Sequence, residues 1–524
     1  MKHILLIFQA SLILLLSGCI IVATATPPAK TPPPLNAALS PTPTAAVAPA
    51  IIAPTNPQPL ATSGPYYAYL RRTEERVELV LLDAAGPGKE VIPLPAQVAD
   101  PNNDNSLQAM ALSPDGKWLS FYTGSGGSCN NPASVPATND LSLNLVELST
   151  GAVSLVARLL PPDYPQNFSK NAQDLIAQGG DTNGVPADSL ASTLESAFLC
   201  GIRSSAWSPD GRSLAFAGAM DGPSSDTYLY EPSTQKITRL SSGPEEVQKL
   251  SWSPDGKWIM QESTWWLGEG MSFNIYASAL DGSAVVSLSH STTGIVSWLD
   301  DHTFLENNGA NGPGNFDLRA VDIRSGAILH LWQASFAGYA VDLANGLLAV
   351  SGIPDPANWT GSLYLVNLAS GAQTKIQDGV WRIEPFAVNG QSFFVQEQPS
   401  GGGEGKKYIL AADGTLTPTD IRFGRLSIAP GGKYWASVES NKLMVYSPAN
   451  TLLHAVDLPV DANDTPDQLT WRADGSGLFA AFYAGNPYDV SSYSLVSVDV
   501  AQGTATLVDQ SSTRLSPLVL VSGK

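Results

Sequence analysis

The chain has 524 residues, a net charge of −19 and three cysteines. An acidic surface of this size repels phosphate backbones and anionic headgroups, which excludes nucleic acid and charge-driven membrane adhesion. The length suits one large repeat domain or two to three ordinary ones, and the repeats described below decide for the former.

Met1-Lys2-His3 is a short basic start, and the apolar run from Ile4 to Leu16 is too short for a comfortable membrane span. It ends in Leu16-Ser17-Gly18-Cys19. A Leu, two small residues and a Cys after such a run resemble the bacterial lipoprotein signal box. The resemblance implies a signal peptide over 1–18, cleavage before Cys19, and lipid on its sulfur and new amino terminus. It also implies a place in the cell envelope, on the extracytoplasmic side of a bacterial membrane. An ordinary secretory signal or an uncleaved anchor is the alternative. Residues 19–63 are rich in Pro, Ala and Thr and nearly free of charge. Such a segment buries no core and stays extended, partly as polyproline II at about 3.1 Å per residue, reaching on the order of 100 Å.

From residue 64 to 524 the sequence predicts a single all-β domain. Its signature is Ser-Pro-Asp-Gly framed by apolar residues: Ala-Leu-Ser-Pro-Asp-Gly-Lys-Trp-Leu at 111–119, Ala-Trp-Ser-Pro-Asp-Gly-Arg-Ser-Leu at 206–214 and Ser-Trp-Ser-Pro-Asp-Gly-Lys-Trp-Ile at 251–259. Pro sets φ for the second turn position, Ser suits the first and Gly the fourth, while Asp bonds its own local backbone. Asp115, Asp210, Asp255 and Asp474 are therefore read as turn residues, and Trp207, Trp252, Trp298 and Trp471 as packing between repeats. Decayed copies keep a spacing of about 42–45 residues, the length of a four-stranded propeller blade. Eight turn-bearing units are countable. Tyr66 to Leu94 supplies second, third and fourth strands without a first, and the tail Leu515-Ser-Pro-Leu-Val-Leu-Val521 offers the missing one. The expectation is one propeller of eight or nine blades, its two chain ends sharing a blade so that no sheet edge is left open.

Cys129 and Cys200 lie in the two longest interruptions, about 124–140 and 161–205. In a propeller, loops from second to third strand and loops between blades leave on the same face. The two thiols can therefore meet in an oxidising compartment, closing a loop worth roughly 4 kcal/mol. Two free buried thiols or half of a metal site are the alternatives. Within the second insert, Leu190, Leu194 and Phe198 mark one face of a short helix, either a cap on the propeller or a lid or docking helix.

Long loops on that face are where a scaffold places binding. Trp265-Trp266 with Glu269 is the least ordinary patch, because two adjacent Trp cannot both point inward along one strand. Exposure suits a sugar ring or an apolar peptide, and packing under the insert is the competing role. Trp359, Tyr483 and Tyr488 extend the same rim. No catalytic constellation emerges. There is no Gly-x-Ser-x-Gly elbow and no phosphate- or dinucleotide-binding loop, and the five His residues have no ligand spacing, so no metal or cofactor is expected.

The Trp-Ser-Pro-Asp-Gly-Lys/Arg turn before a short apolar strand resembles the WD40-like propeller repeat (PD40) of the TolB propeller. The resemblance implies the fold over most of 66–521. The family includes an envelope-complex component, propellers appended to serine peptidases, and polysaccharide lyases. The chain lacks both the small domain that precedes the TolB propeller and the hydrolase domain of the peptidases. The first expectation is a lipid-anchored, non-catalytic binder of a protein, peptide or glycan. The second is a polysaccharide-acting enzyme with a site in the central funnel, and a sensor subunit for a membrane partner is a third. Convergent His, Arg and carboxylates on the first strands would favour the enzyme, while small residues such as Ala111, Ala206 and Ser251 favour the binder.

Overall fold

A computed structural model describes residues 59–61, 64–84, 86–99, 110–124, 141–160, 202, 204–220, 225–242, 246–264, 273–281, 285–291, 295–308, 316–355, 360–400, 402–421, 426–439, 441–486 and 489–521. Nine antiparallel four-stranded sheets form a propeller ring. In chain order, blade 1 takes 66–93, blade 2 takes 111–158, blade 3 takes 205–239 and blade 4 takes 246–291. Blades 5 to 9 take 295–332, 336–378, 381–418, 426–457 and 465–511. The proposed helix of the second insert lies outside the described residues.

The innermost strand of blade 1, first in the blade's order, comes from the chain's other end. Val519–Val521 pairs antiparallel with Tyr66–Arg72, with Val521 opposite Tyr66 and Val519 opposite Ala68. Pro517, having no N–H, interrupts the ladder. Pairing resumes at Ser516, whose N–H donates to Leu70 O at 2.9 Å and whose Oγ accepts from Leu70 N at 2.7 Å. The ring is thus nine blades and closes by sharing a blade between its ends.

The turn phrase is rebuilt identically in its three full copies. Ser113, Ser208 and Ser253 donate through Oγ to Asp115, Asp210 and Asp255 at 2.7, 2.6 and 2.7 Å. The same carboxylates accept the N–H two residues on, each at 3.1 Å. Gly211 has φ +73°, and a Cβ there would lie 2.9 Å from Asp115 N in the preceding blade. Only glycine lets the turns of blades 2 and 3 touch here.

Each gap between neighbouring blades holds its own apolar cluster, giving nine clusters that include the gap between blades 9 and 1. Trp207 of blade 3 donates its indole N–H to Ala111 O of blade 2 at 3.0 Å. Trp252 of blade 4 does the same to Ala206 O at 2.8 Å, and Trp298 of blade 5 to Ser251 Oγ at 2.8 Å. The small residues Ala111, Ala206 and Ser251 are therefore seats for the next blade's indole.

The last gap is sealed by tyrosines and charge. Tyr67 donates to Trp471 O at 2.7 Å, and Tyr69 donates to Asp509 at 2.5 Å. Asp509 also takes Arg71 at 2.8 Å and lies 3.5 Å from Lys89. With its side chain 6% exposed, Asp509 compensates two cations and one hydroxyl at once. Asp509→Ala takes the acceptor from Tyr69 and the shared anion from Arg71 and Lys89, which keep only Glu78 and Val508 O, and a loss of about 3 kcal/mol in urea unfolding is expected.

The outer turns are held by carboxylate or amide side chains. Asp322 accepts from Arg324 N, Ser325 N and Ser325 Oγ at 3.0, 2.9 and 2.9 Å, and Asn367 makes the equivalent bonds to Ala369 and Ser370 in blade 6. Burial alone would raise the Asp322 carboxyl, but these bonds and Arg324 outweigh it and hold the group at about 2. A lowered folded-state pKa stabilises above the unfolded value and loses that contribution as pH falls through the folded one. Wild type should exceed Asp322→Asn by about 2 kcal/mol above pH ~4, and urea midpoints of the two should converge toward pH ~2.

Candidate functional site

Strand alternation gives the ring two unlike faces. Turns joining first to second and third to fourth strands share one side, the turn face. Connections from second to third strands and from blade to blade share the other, the loop face. Both long interruptions, 124–141 and 159–204, leave blades 2 and 3 on the loop face. Cys19, Cys129, Cys200, Trp265, Trp266, Glu269, Trp359 and Tyr488 lie outside the described residues.

Tyr483 is the one proposed rim residue within them. It stands near the loop-face end of the second strand of blade 9 and is 9% exposed. Its ring lies in the cluster between blades 9 and 1, with the Arg514 guanidinium 5.9 Å from its centroid. Arg514 bonds Asp467 at 2.5 Å, and Asp467 accepts from Tyr493 Oη at 2.6 Å. The four residues form one polar knot at the loop-face end of the closing seam. Burial, then the Asp467 carboxylate, pushes the Tyr493 phenol far above its ordinary value. Tyr69 is raised in the same direction, first by burial and then by Asp509.

Other acids buried toward the loop face are also held by basic partners. Glu306 is fully buried and bonds Arg319 at 2.6 Å, and Asp317 takes His330 Nδ1 at 2.9 Å. Asp226, 1% exposed, pairs with Arg239. Glu78 would be raised by burial, but bonds from Arg71 and Arg76 bring it below its ordinary value. All of these stand in the loop-face halves of their blades.

The described charges on the innermost strands are likewise engaged. Lys249 lies 3.4 Å from Glu262, and Arg382 bonds Glu384 at 2.8 Å. Asp342 accepts from Asn345 N at 3.2 Å and Asn345 Nδ2 at 2.7 Å within its turn. Among the described residues, no group of three or more His, Cys, Asp or Glu side chains is placed to hold a metal. The described walls thus offer ion-paired carboxylates rather than a free acid and base facing each other.

Sequence reasoning found Tyr483 but missed Asp467, Tyr493 and Arg514 around it. The available signal was the tail itself: if 515–521 closes blade 1, Arg514 must sit on the connection just before it. Replacing Asp467 with Asn removes the charge that helps hold Tyr493 protonated. In an alkaline phenolate-absorbance titration, Asp467→Asn should move one tyrosine toward the ordinary range and leave Tyr69 among the late-ionising ones.

No family model matches the chain. A curated relative, the uncharacterized peptidase YuxL of Bacillus subtilis, is 40% identical over 68 residues, 13% of this chain. The chain spans about a tenth of that relative's length, 10%. Among solved structures, a eukaryotic initiation factor aligns over 87% of this chain and 98% of its own, with a TM-score of 0.50 and 11% identity. TolB from Acinetobacter baumannii aligns over 60% of this chain and 64% of its own, with a TM-score of 0.27 and 15% identity. The first of these likenesses extends around nearly the whole ring and is a likeness of fold alone.

Proposed function

We propose that this chain is a lipid-anchored propeller of the PD40 type, held outside a bacterial cytoplasmic membrane. Its loop face binds a protein, peptide or glycan without catalysis. One observation carries the reading: the two faces are built differently. On the turn face the same Ser, Asp and Gly contacts recur in blades 2, 3 and 4. On the loop face the connections vary in length, from 379–380 between blades 6 and 7 to 159–204 between blades 2 and 3. A scaffold that keeps one side regular and elaborates the other places recognition on the elaborated side.

The blade edges beneath those connections also support binding rather than turnover. Their buried acids are neutralised by Arg or Lys partners, which gives a rigid floor for loops. Trp265, Trp266, Glu269, Trp359, Tyr483 and Tyr488 are the proposed contact residues. The signal box supports the anchor at Cys19, and an oxidising compartment suits the pairing of Cys129 with Cys200.

Two experiments test the proposal. The full chain expressed in a bacterium should partition with membranes and incorporate labelled fatty acid. Cys19→Ser should lose both, and unchanged labelling would remove the anchor. The purified full chain, probed on glycan and peptide arrays, should lose its ligands on joint Trp265→Ala and Trp266→Ala replacement. Undiminished binding would refute the face assignment, and depolymerisation of an arrayed polysaccharide would replace binding with catalysis.

A further inference from the structure

Every blade gap is a wedge that large side chains must fill. Seven of the nine gaps hold a tryptophan: Trp207, Trp252, Trp298, Trp332, Trp381, Trp435 and Trp471 in order from the gap between blades 2 and 3 to that between 8 and 9. The gap between blades 9 and 1 holds Tyr67, Tyr69, Tyr483, Tyr493 and Phe479. The gap between blades 1 and 2 differs. The residue before its Ser-Pro-Asp-Gly turn is Leu112, where blades 3 and 4 have Trp207 and Trp252. Leu112 and Leu119 face blade 1 just as Trp207 and Leu214 face blade 2.

A cavity of about 420 Å³ stands where that indole is missing. Its walls are Leu79, Leu81, Ile92, Leu112, Leu148 and Val521, with Glu90 and Ser149 also lining it. Leu79 and Leu81 are buried at 1% and 2% exposure, whereas Ser149 is exposed, so the space runs inward from the turn face. An aliphatic wall with a few polar groups at one end is the usual make-up of a small-ligand site, and the volume falls within the usual range.

We propose that this cavity binds a small aromatic ligand of indole size, its ring entering the wedge as tryptophan does at seven other gaps. Ser149 supplies an oxygen acceptor for a ring N–H or O–H, the part played for Trp207 by Ala111 O. The site is on the turn face, so it is independent of the binding proposed for the loop face.

Leu112→Trp restores the repeat's own residue and tests the idea directly. Indole and N-acetyl-tryptophanamide are titrated into the full chain, read by ligand-observed NMR and by the unfolding midpoint. Wild type should bind indole saturably and gain thermal stability from it. Leu112→Trp should melt higher without ligand and bind indole at least about tenfold more weakly. Binding of both probes identifies a ring carried on a peptide as acceptable, whereas binding of indole alone identifies a free compound. Leu148→Phe fills the cavity from another wall and serves the same purpose if Leu112→Trp does not fold. No saturable binding to wild type, or equal binding to a folded filled variant, overturns the proposal.

Discussion

Filling the wedge between adjacent blades is the constraint on which this ring depends. Twisted sheets arranged radially diverge outward, and the space between them must be packed at interior density. Tryptophan is the largest filler available. The first three indoles also bond the neighbour's inner strand, which suggests at first that the hydrogen bond is the point. Trp381 and Trp471 argue otherwise, because both are buried and their Nε1 finds no hydrogen-bond partner among the described residues. Volume is the shared requirement, and the bond is an addition made in some gaps and not in others.

The same constraint explains which parts of the fold were legible in the sequence. The turn phrase is local, so its hydrogen bonds could be read from four consecutive residues. The blade count was harder because the filler moves. In blades 3, 4, 5 and 9 it precedes the first turn, but Trp332 ends an outer strand, Trp381 begins an inner one and Trp435 begins a second strand. A pattern tied to one position loses those copies, although the wedge they fill is unchanged. The closing strand was readable by subtraction, since a blade lacking a first strand and a tail lacking partners imply each other. The ion pairs were not readable. Tyr69 and Asp509 are 440 positions apart, and no periodicity connects them.

Charge is distributed along each blade as unevenly as length is between the faces. On the turn face, Asp115, Asp210 and Asp255 serve exposed local turns and pair weakly with the following Lys or Arg. Toward the loop face, Glu78, Asp226, Glu306 and Asp509 are buried, and each is bonded to an Arg or Lys. Losing a partner there strands a charge inside the protein, so these contacts resist local change far more than the turn pairs do. Long connections rooted in such strand ends can vary freely without loosening the ring.

The seam between blades 9, 1 and 2 brings these themes together. Its blade is assembled from both ends of the chain, so its stability cannot rest on local sequence. On one flank the gap is packed with five aromatic rings and two acid-centred networks. On the other flank the usual indole is absent and a cavity remains. A ring that needed merely to close would be served better by tryptophan at Leu112, because an empty apolar space forfeits contacts on every wall. The over-built flank makes the under-filled one tolerable, and a ligand entering that space would bridge blades 1 and 2 beside the joint where the chain's two ends meet.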